Sequence, residues 1–364
     1  MERFAFIVHP ITARDFSRKF PFAKNWSDGF VEKVIKYIPP FKVSSITGIY
    51  SPMAEAEGWF VGCPLTSNQM VSMPEEVVIQ KIIKAGKVAE KLGAKIVGLG
   101  AFTSVVGDAG VTIAKSLNIP VTTGNSYTVA TALEGTLEAA KIMEIDLNRA
   151  NVLVLGATGS IGAACAQVLA RKVRYLTLSS RNEVKLEKLA TQIMKSSGLA
   201  VRVTANTKAA LKAADIVIAV TSAVDSIIEP EDLKPGAIVC DVARPRNVSR
   251  SVSEIRDDVL VIEGGVVEVP GDVNFGINFG FPDRTAYACM AETMILALEQ
   301  RYENFTLGRE LTVKQVETIE QLARKHGFKL AGFRSFEKAV ETEEILRIKR
   351  NAQVRGGSQT AVGN

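Results

Sequence analysis

Residues 151–181 read NVLVLGATGSIGAACAQVLARKVRYLTLSSR, and this stretch decides the fold. Residues 151–155 form a short apolar run with β-branched members, the pattern of a buried parallel strand. Gly156, Gly159 and Gly162 follow at three-residue intervals. A tight turn needs no Cβ at the first, the second lets a pyrophosphate approach the backbone, and the third lets a helix lie close on the sheet. A helix that starts inside the turn points free N–H groups and its positive dipole end at a phosphate. Ile161, Ala164, Cys165, Val168 and Leu169 give that helix an apolar side, and 175–179 reads as a second strand. Strand, glycine turn, helix and strand in this order predict a Rossmann dinucleotide site on Gly156, Thr158, Gly159, Ser160, Ile161 and Gly162.

The end of the second strand bears on which dinucleotide. NAD sites place Asp or Glu there for the ribose 2′-hydroxyl, whereas this chain has Ser179, Ser180, Arg181 and Asn182. A hydroxyl and a guanidinium suit a 2′-phosphate, so Ser180 and Arg181 predict NADPH as the cofactor. Thr221, just past a strand at 215–220, is counted with the cofactor residues.

A chain of 364 residues predicts two domains. The net charge of +5 is mild, and no Lys/Arg stripe with interleaved aromatics points to nucleic acid. Arg171, Lys172, Arg174, Arg244 and Arg246 fit either attraction of an acidic carrier or a solvated surface. The four cysteines show no paired short spacing, so neither a zinc site nor a disulfide framework is expected. No apolar run reaches membrane-spanning length and no signal peptide is legible, which predicts a cytoplasmic protein.

Before the Rossmann unit, strands are expected at 3–8, 46–50, 58–61, 96–99 and 119–122. Helices alternate with them. One is capped by Ser27 with Phe30, Val34 and Tyr37 on one face; others run from Pro74 to Gly93, over 109–117, and from the end of the polar stretch 123–128 to about 144. This half is an α/β layer of its own, and the fold class expected is a two-domain α/β protein with C-terminal helices packing back. The domains expected are 1–147 for substrate, 148–270 for NADP, 271–350 as a helical segment, and 351–364 as a disordered tail. Long helices are expected at 284–301, from the capping box Thr312–Gln315 to Gly327, and at 335–349.

Polar turns at 100–104 and 122–128 follow parallel-type strands, where open α/β sheets bind ligands. Thr103, Ser104, Asn125 and Tyr127 are therefore candidate substrate residues, with turn closure and helix capping the equal alternative. The only histidines are His9 and His326, and His326 sits where a helix C-terminus favours one structurally. No metal cluster is expected. Cysteine offers another route to nicotinamide chemistry: its thiolate can take an acyl group from a thioester for reduction to aldehyde. Cys165 and Cys240 read as packing residues and Cys63 lies in a Gly-Pro loop. Cys289, early on its helix, reads from the residues as either a buried thiol or a nucleophile.

Stretches at 100–104, 122–125, 156–162 and 264–268, then Tyr287-Ala288-Cys289-Met290-Ala291-Glu292, Asn304-Phe305 and His326-Gly327-Phe328, form an ordered set over nearly the whole chain. By them the chain resembles the long-chain acyl-[acyl-carrier-protein] reductases known from cyanobacteria. The resemblance implies NADPH-dependent conversion of a fatty acyl thioester, on acyl carrier protein or coenzyme A, to a fatty aldehyde. Its nucleophile falls on Cys289. Two departures, Tyr127 where the family pattern has histidine and a glycine-rich 269–281, leave chain length, carrier and proton donor open. Two alternatives remain: an NADP-dependent dehydrogenase of a small hydroxy or amino acid without a covalent intermediate, and a nucleotide-sensing regulator.

Overall fold

The computed structural model describes residues 1–20, 23–222, 226–243, 245–278 and 282–361. It divides into two units. The first comprises Met1–Tyr127, Val267–Glu310 and Glu317–Lys329, and the second Thr128–Val266, Leu311–Val316 and the chain from Leu330 on. Cys289 therefore folds with the N-terminal layer.

The first unit is built on a six-stranded sheet in the order Gly271–Asn274, Phe41–Tyr50, Glu55–Gly62, Glu2–Val8, Val97–Leu99, Val121–Thr122. The last four strands run parallel, and Phe41–Tyr50 lies antiparallel beside them. Their apolar residues are fully covered: Phe4, Phe6, Ile7 and Phe60 are 0–1% exposed, with Phe6 and Phe60 edge to face at 6.4 Å. Glu75–Lys91 buries Val78, Ile82, Ala85 and Ala89 at the expected spacing. The parallel strands end together at Val8, Gly62, Leu99 and Thr122, and the loops leaving this edge carry the candidate residues.

The second unit is a doubly wound sheet of six parallel strands, Leu260–Glu263, Ile238–Asp241, Ile216–Ala219, Asn151–Leu155, Tyr175–Ser179, Arg202–Thr204. In chain order within the sheet this is 6-5-4-1-2-3, the Rossmann arrangement. The strand order reverses between Asn151–Leu155 and Ile216–Ala219, and the glycine turn leaves the sheet at that reversal.

Several expectations are corrected. The helix capped by Ser27, Asp28–Ile35, buries Val31 and Ile35 rather than Phe30, Val34 and Tyr37. Phe30 is 49% and Tyr37 79% exposed, so aromatic character there did not mark the core face. The long helix expected over 284–301 is instead a strand, Thr285–Tyr287, followed by a helix, Ala288–Leu298. Thr and Tyr favour extended backbone, and Arg284 at φ 63 interrupts any earlier helix. The helix expected from 335 is a hairpin, Phe333–Ser335 with Lys338–Val340, and then a helix, Thr342–Ala361. That helix runs into the stretch read as a disordered tail, because Ala352 is buried and anchors it.

Candidate active site

The helix start at Ala288 makes Cys289 the second residue of its first turn, with extended Tyr287 as cap. The N–H groups there have no intrahelical partner, and such a position favours a thiolate over a thiol. Cys289 is partly exposed, whereas Cys63, Cys165 and Cys240 are buried. Burial pushes the Cys63 thiol up to about 12. Burial, with Cys240 nearby, also raises that of Cys165. Cys240 points its sulfur at the Ala132 carbonyl, 3.7 Å away.

Facing Cys289 is the turn after the last parallel strand. Gly124 has φ +74, and a Cβ placed on it would stand 2.4 Å from both Cα and Cβ of Cys289. Only glycine allows this backbone and this approach. The turn is held by Glu292, which is 0% exposed. One of its oxygens accepts from Thr122 Oγ1 at 2.5 Å and Thr306 Oγ1 at 3.0 Å. The other accepts from Ser126 Oγ at 2.6 Å and the Tyr127 N–H at 2.9 Å. Burial pushes this carboxyl above its ordinary range, against those hydrogen bonds, which favour the charge. Asn304 and Phe305 bring Thr306 in: Asn304 Oδ1 accepts the Val121 N–H at 2.9 Å, and Phe305 N–H donates to the Val121 carbonyl at 3.0 Å.

Of the candidate substrate residues, Asn125 and Tyr127 lie in the first turn of the helix Asn125–Ile142 that follows this turn, and are 7% and 4% exposed. Thr103 and Ser104 commit their hydroxyls to a 3₁₀ turn, donating to the carbonyls of Gly100 at 2.8 Å and Ala101 at 2.7 Å. Turn closure accounts for both. His9 accepts the Phe102 N–H at Nε2, 3.3 Å away, with Nδ1 on the Pro10 carbonyl at 3.0 Å. Burial lowers its basicity, against the Pro10 carbonyl and Asp15, which favour the charge. His326 bridges Ser51 Oγ at 3.0 Å and Glu299 Oε2 at 2.9 Å, a structural role.

In the second unit the glycine turn has the form its spacing predicts. Gly156 has φ +84, and a Cβ there would meet the Val220 carbonyl at 2.8 Å; one on Gly162 would meet Gly156 O at 2.4 Å. On Gly159 it would touch only Gly156 O, at 3.4 Å. Gly159 therefore borders open space at the N-cap of the helix Ser160–Leu169, the room a pyrophosphate needs. Ile161 follows Ser160 in that helix's first turn. Thr158 Oγ1 and Ser180 Oγ are 2.7 Å apart, tying the turn to the end of the second strand. Arg181 is exposed beside them. Thr221 N–H donates to Asn247 Oδ1 at 2.9 Å at the adjacent strand end. These residues offer a dinucleotide a glycine cradle at a helix N-terminus, with hydroxyls and a guanidinium at the adjacent strand end.

The basic residues considered for a carrier fare differently. Arg246 is held by Glu263 at 2.7 Å and Glu337 at 3.3 Å. Arg171, Lys172 and Arg174 are exposed between the helix end and the start of Tyr175–Ser179. They thus lie at the amino edge of the sheet, opposite the glycine turn. Arg244 lies outside the described residues.

A family model for shikimate/quinate 5-dehydrogenase matches residues 137–262. Aminotransferase PigE of Serratia sp. is 31% identical over 323 residues, 88% of this chain and 37% of that protein. The chain thus spans little more than a third of that relative. A long-chain acyl-[acyl-carrier-protein] reductase of Synechococcus elongatus is 29% identical over 334 residues, 87% of this chain and 94% of that protein. A glutamyl-tRNA reductase of Sulfurihydrogenibium sp. is 28% identical over 222 residues, 59% of this chain and 47% of that protein. Together with the Rossmann unit, these likenesses support an oxidoreductase of the nicotinamide-nucleotide type. Among the described residues no helix is long and apolar enough to cross a membrane.

Sequence reasoning passed over Glu292 and Thr306. Glu292 carries a local signal: it is the one charged residue in the run ACMAETMILAL, otherwise apolar apart from Thr293. Thr306 has none: its φ of 55 is not legible from a threonine in the sequence.

Proposed function

We propose that this chain is an NADPH-dependent reductase of fatty acyl thioesters that forms aldehyde through Cys289. The observation that carries the reading is that Cys289, alone of the four cysteines, is partly exposed, and stands in the first turn of a helix. The name of the Synechococcus relative supports the substrate class. Cys289 sulfur attacks the thioester carbonyl, the carrier or coenzyme A leaves as its thiol, and the acyl group rests on the enzyme. NADPH, when bound, supplies the hydride that, with one proton, releases aldehyde and restores the Cys289 thiol. Gly156, Gly159, Gly162 and the N-terminus of Ser160–Leu169 would hold its pyrophosphate, and Ser180 and Arg181 its 2′-phosphate.

The test is mass spectrometry after mixing the protein with an acyl thioester and no NADPH, beside NADPH oxidation across a panel of thioesters. The wild type should gain one acyl mass, Cys289→Ser should gain none and make no aldehyde, and Cys63→Ser and Cys165→Ser should keep the adduct. Aldehyde formation by Cys289→Ser at an undiminished rate would return the chain to a dehydrogenase without a covalent intermediate. No NADPH consumption with any thioester would favour a nucleotide-sensing role.

A further inference from the structure

We propose that Glu292 is the positioning residue of Cys289, tying the end of the strand Val121–Thr122 to the first turn of the helix Asn125–Ile142 so that Gly124, between them, stays seated against it. The proposal rests on Cys289 being the nucleophile. Glu292 lies three residues beyond Cys289, on the same side of the helix. Three of its four donors bracket Gly124 in the chain, Thr122 before it and Ser126 and the Tyr127 N–H after it, and the fourth, Thr306, comes from a distant segment. With all four lone-pair directions filled, the carboxylate is fully satisfied despite complete burial, the condition under which a buried charge is tolerated.

The surroundings show that packing alone does not call for a carboxylate. Met290, Ala291, Met294, Ile295 and Leu298 on the same helix are buried apolar residues, and an apolar side chain in place of a buried ion is commonly as stable or more so. The network also holds backbone where it would not otherwise rest. Thr306 is β-branched at φ 55, a conformation such residues rarely adopt. Thr123 Oγ1 bonds both the carbonyl of Thr306, at 2.7 Å, and its hydroxyl, at 2.9 Å, while that hydroxyl donates to Glu292. Strained backbone held by a saturated buried network beside a reactive group is how a site is kept in one geometry. Gly124 is pressed against Cys289, so any slackening of the turn displaces the floor on which Cys289 stands.

The hydrogen-bond chemistry separates position from charge. In Glu292→Gln the amide oxygen can accept from Ser126 and the Tyr127 N–H. The amide nitrogen can donate to the Thr122 and Thr306 hydroxyls, which can turn and accept. Glu292→Asp keeps the charge but falls one methylene short. These variants and Glu292→Ala are compared by rate of acyl adduct formation without NADPH, iodoacetamide rate at Cys289, NADPH affinity and thermal unfolding.

Glu292→Gln should acylate within about threefold of wild type, while Glu292→Asp and Glu292→Ala should lose about a hundredfold, the effect of roughly 1 Å of misplacement. NADPH affinity should not change in any of them. If Glu292→Ala does not fold, the Gln and Asp variants decide; if Asp also fails, Thr306→Val removes one donor and keeps the shape, and its acylation should fall. Wild-type acylation in Asp with loss in Gln would show that charge, not position, is what Glu292 supplies. Equal acylation in all the folded variants would overturn the proposal outright. A wild type that forms no adduct would sink the reading of Cys289 instead. The iodoacetamide rates would then decide on Glu292: a change confined to Asp and Ala keeps the positioning role, and none removes it.

Discussion

At Gly124 an alanine methyl would stand 2.4 Å from two atoms of Cys289, and φ +74 would be strained for any other L residue. Gly124→Ala should destabilise the first unit by about 2–4 kcal/mol, from backbone strain and overpacking together. Urea unfolding measures this, and an unchanged midpoint would show that the helix slides away freely. Reactivity should also divide by residue. In native protein iodoacetamide should modify Cys289 alone, since Cys63, Cys165 and Cys240 are buried and only Cys289 is partly exposed. Peptide mapping before and after denaturation checks it. At the second site, Arg181→Ala should weaken NADPH by about 1.5–3 kcal/mol and leave NADH nearly unaffected, as loss of charged hydrogen bonds to a 2′-phosphate would. Equal losses for both nucleotides would show that Arg181 does not read the phosphate.

The glycine turn offers a contrast at the level of elements. A Cβ on Gly162 would lie 2.4 Å from Gly156 O, whereas one on Gly159 would find only ordinary contact at 3.4 Å. Gly162→Ala should therefore push the helix Ser160–Leu169 off the sheet and cost about 1–3 kcal/mol of stability. Gly159→Ala should fold normally and bind dinucleotide at least tenfold more weakly, about 1.4 kcal/mol, because its methyl enters the phosphate cradle. Thermal unfolding and nucleotide titration separate the two, and tight binding by Gly159→Ala would place the pyrophosphate elsewhere. Elements set by local chemistry were legible in the sequence. The capping box on Val313–His326 is an example: Thr312 N–H donates to Gln315 Oε1 at 3.0 Å and Gln315 N–H to Thr312 Oγ1 at 3.2 Å. Elements set by distant partners were not. Thr285–Tyr287 is a strand because it has a ladder to join, and periodicity within the segment carries no trace of that ladder.

For the whole molecule, acid sensitivity should follow Asp258, whose side chain is 0% exposed. Burial opposes its ionisation, but Arg256 at 2.6 Å and 3.0 Å and Arg355 at 3.0 Å prevail and hold its carboxyl below the usual range. A depressed folded pKa means stability that is present above the unfolded value, about 3.9, and lost as pH falls through the folded one. Asp258→Asn should be less stable at neutral pH by about 3 kcal/mol, the order of a broken buried pair. It should also lose less than wild type on acidification below pH ~4. Parallel acid profiles for the two proteins would assign the acid sensitivity to other carboxylates.

By itself the sequence determined the Rossmann unit, because a strand, three spaced glycines and a helix start are a local pattern whose parts lie within 31 residues, 151–181. It also singled out Cys289, through its place near a helix start and a family resemblance. What only the tertiary structure decided is the setting of that cysteine. Gly124 and Glu292 lie 165 and 3 residues away in the chain, and Thr306 comes from a third segment. Their meeting depends on how strands and helices converge at one sheet edge. A carboxylate on an apolar helix is a local oddity in the sequence; its four donors exist only once the turn, the helix and the Thr306 segment have packed.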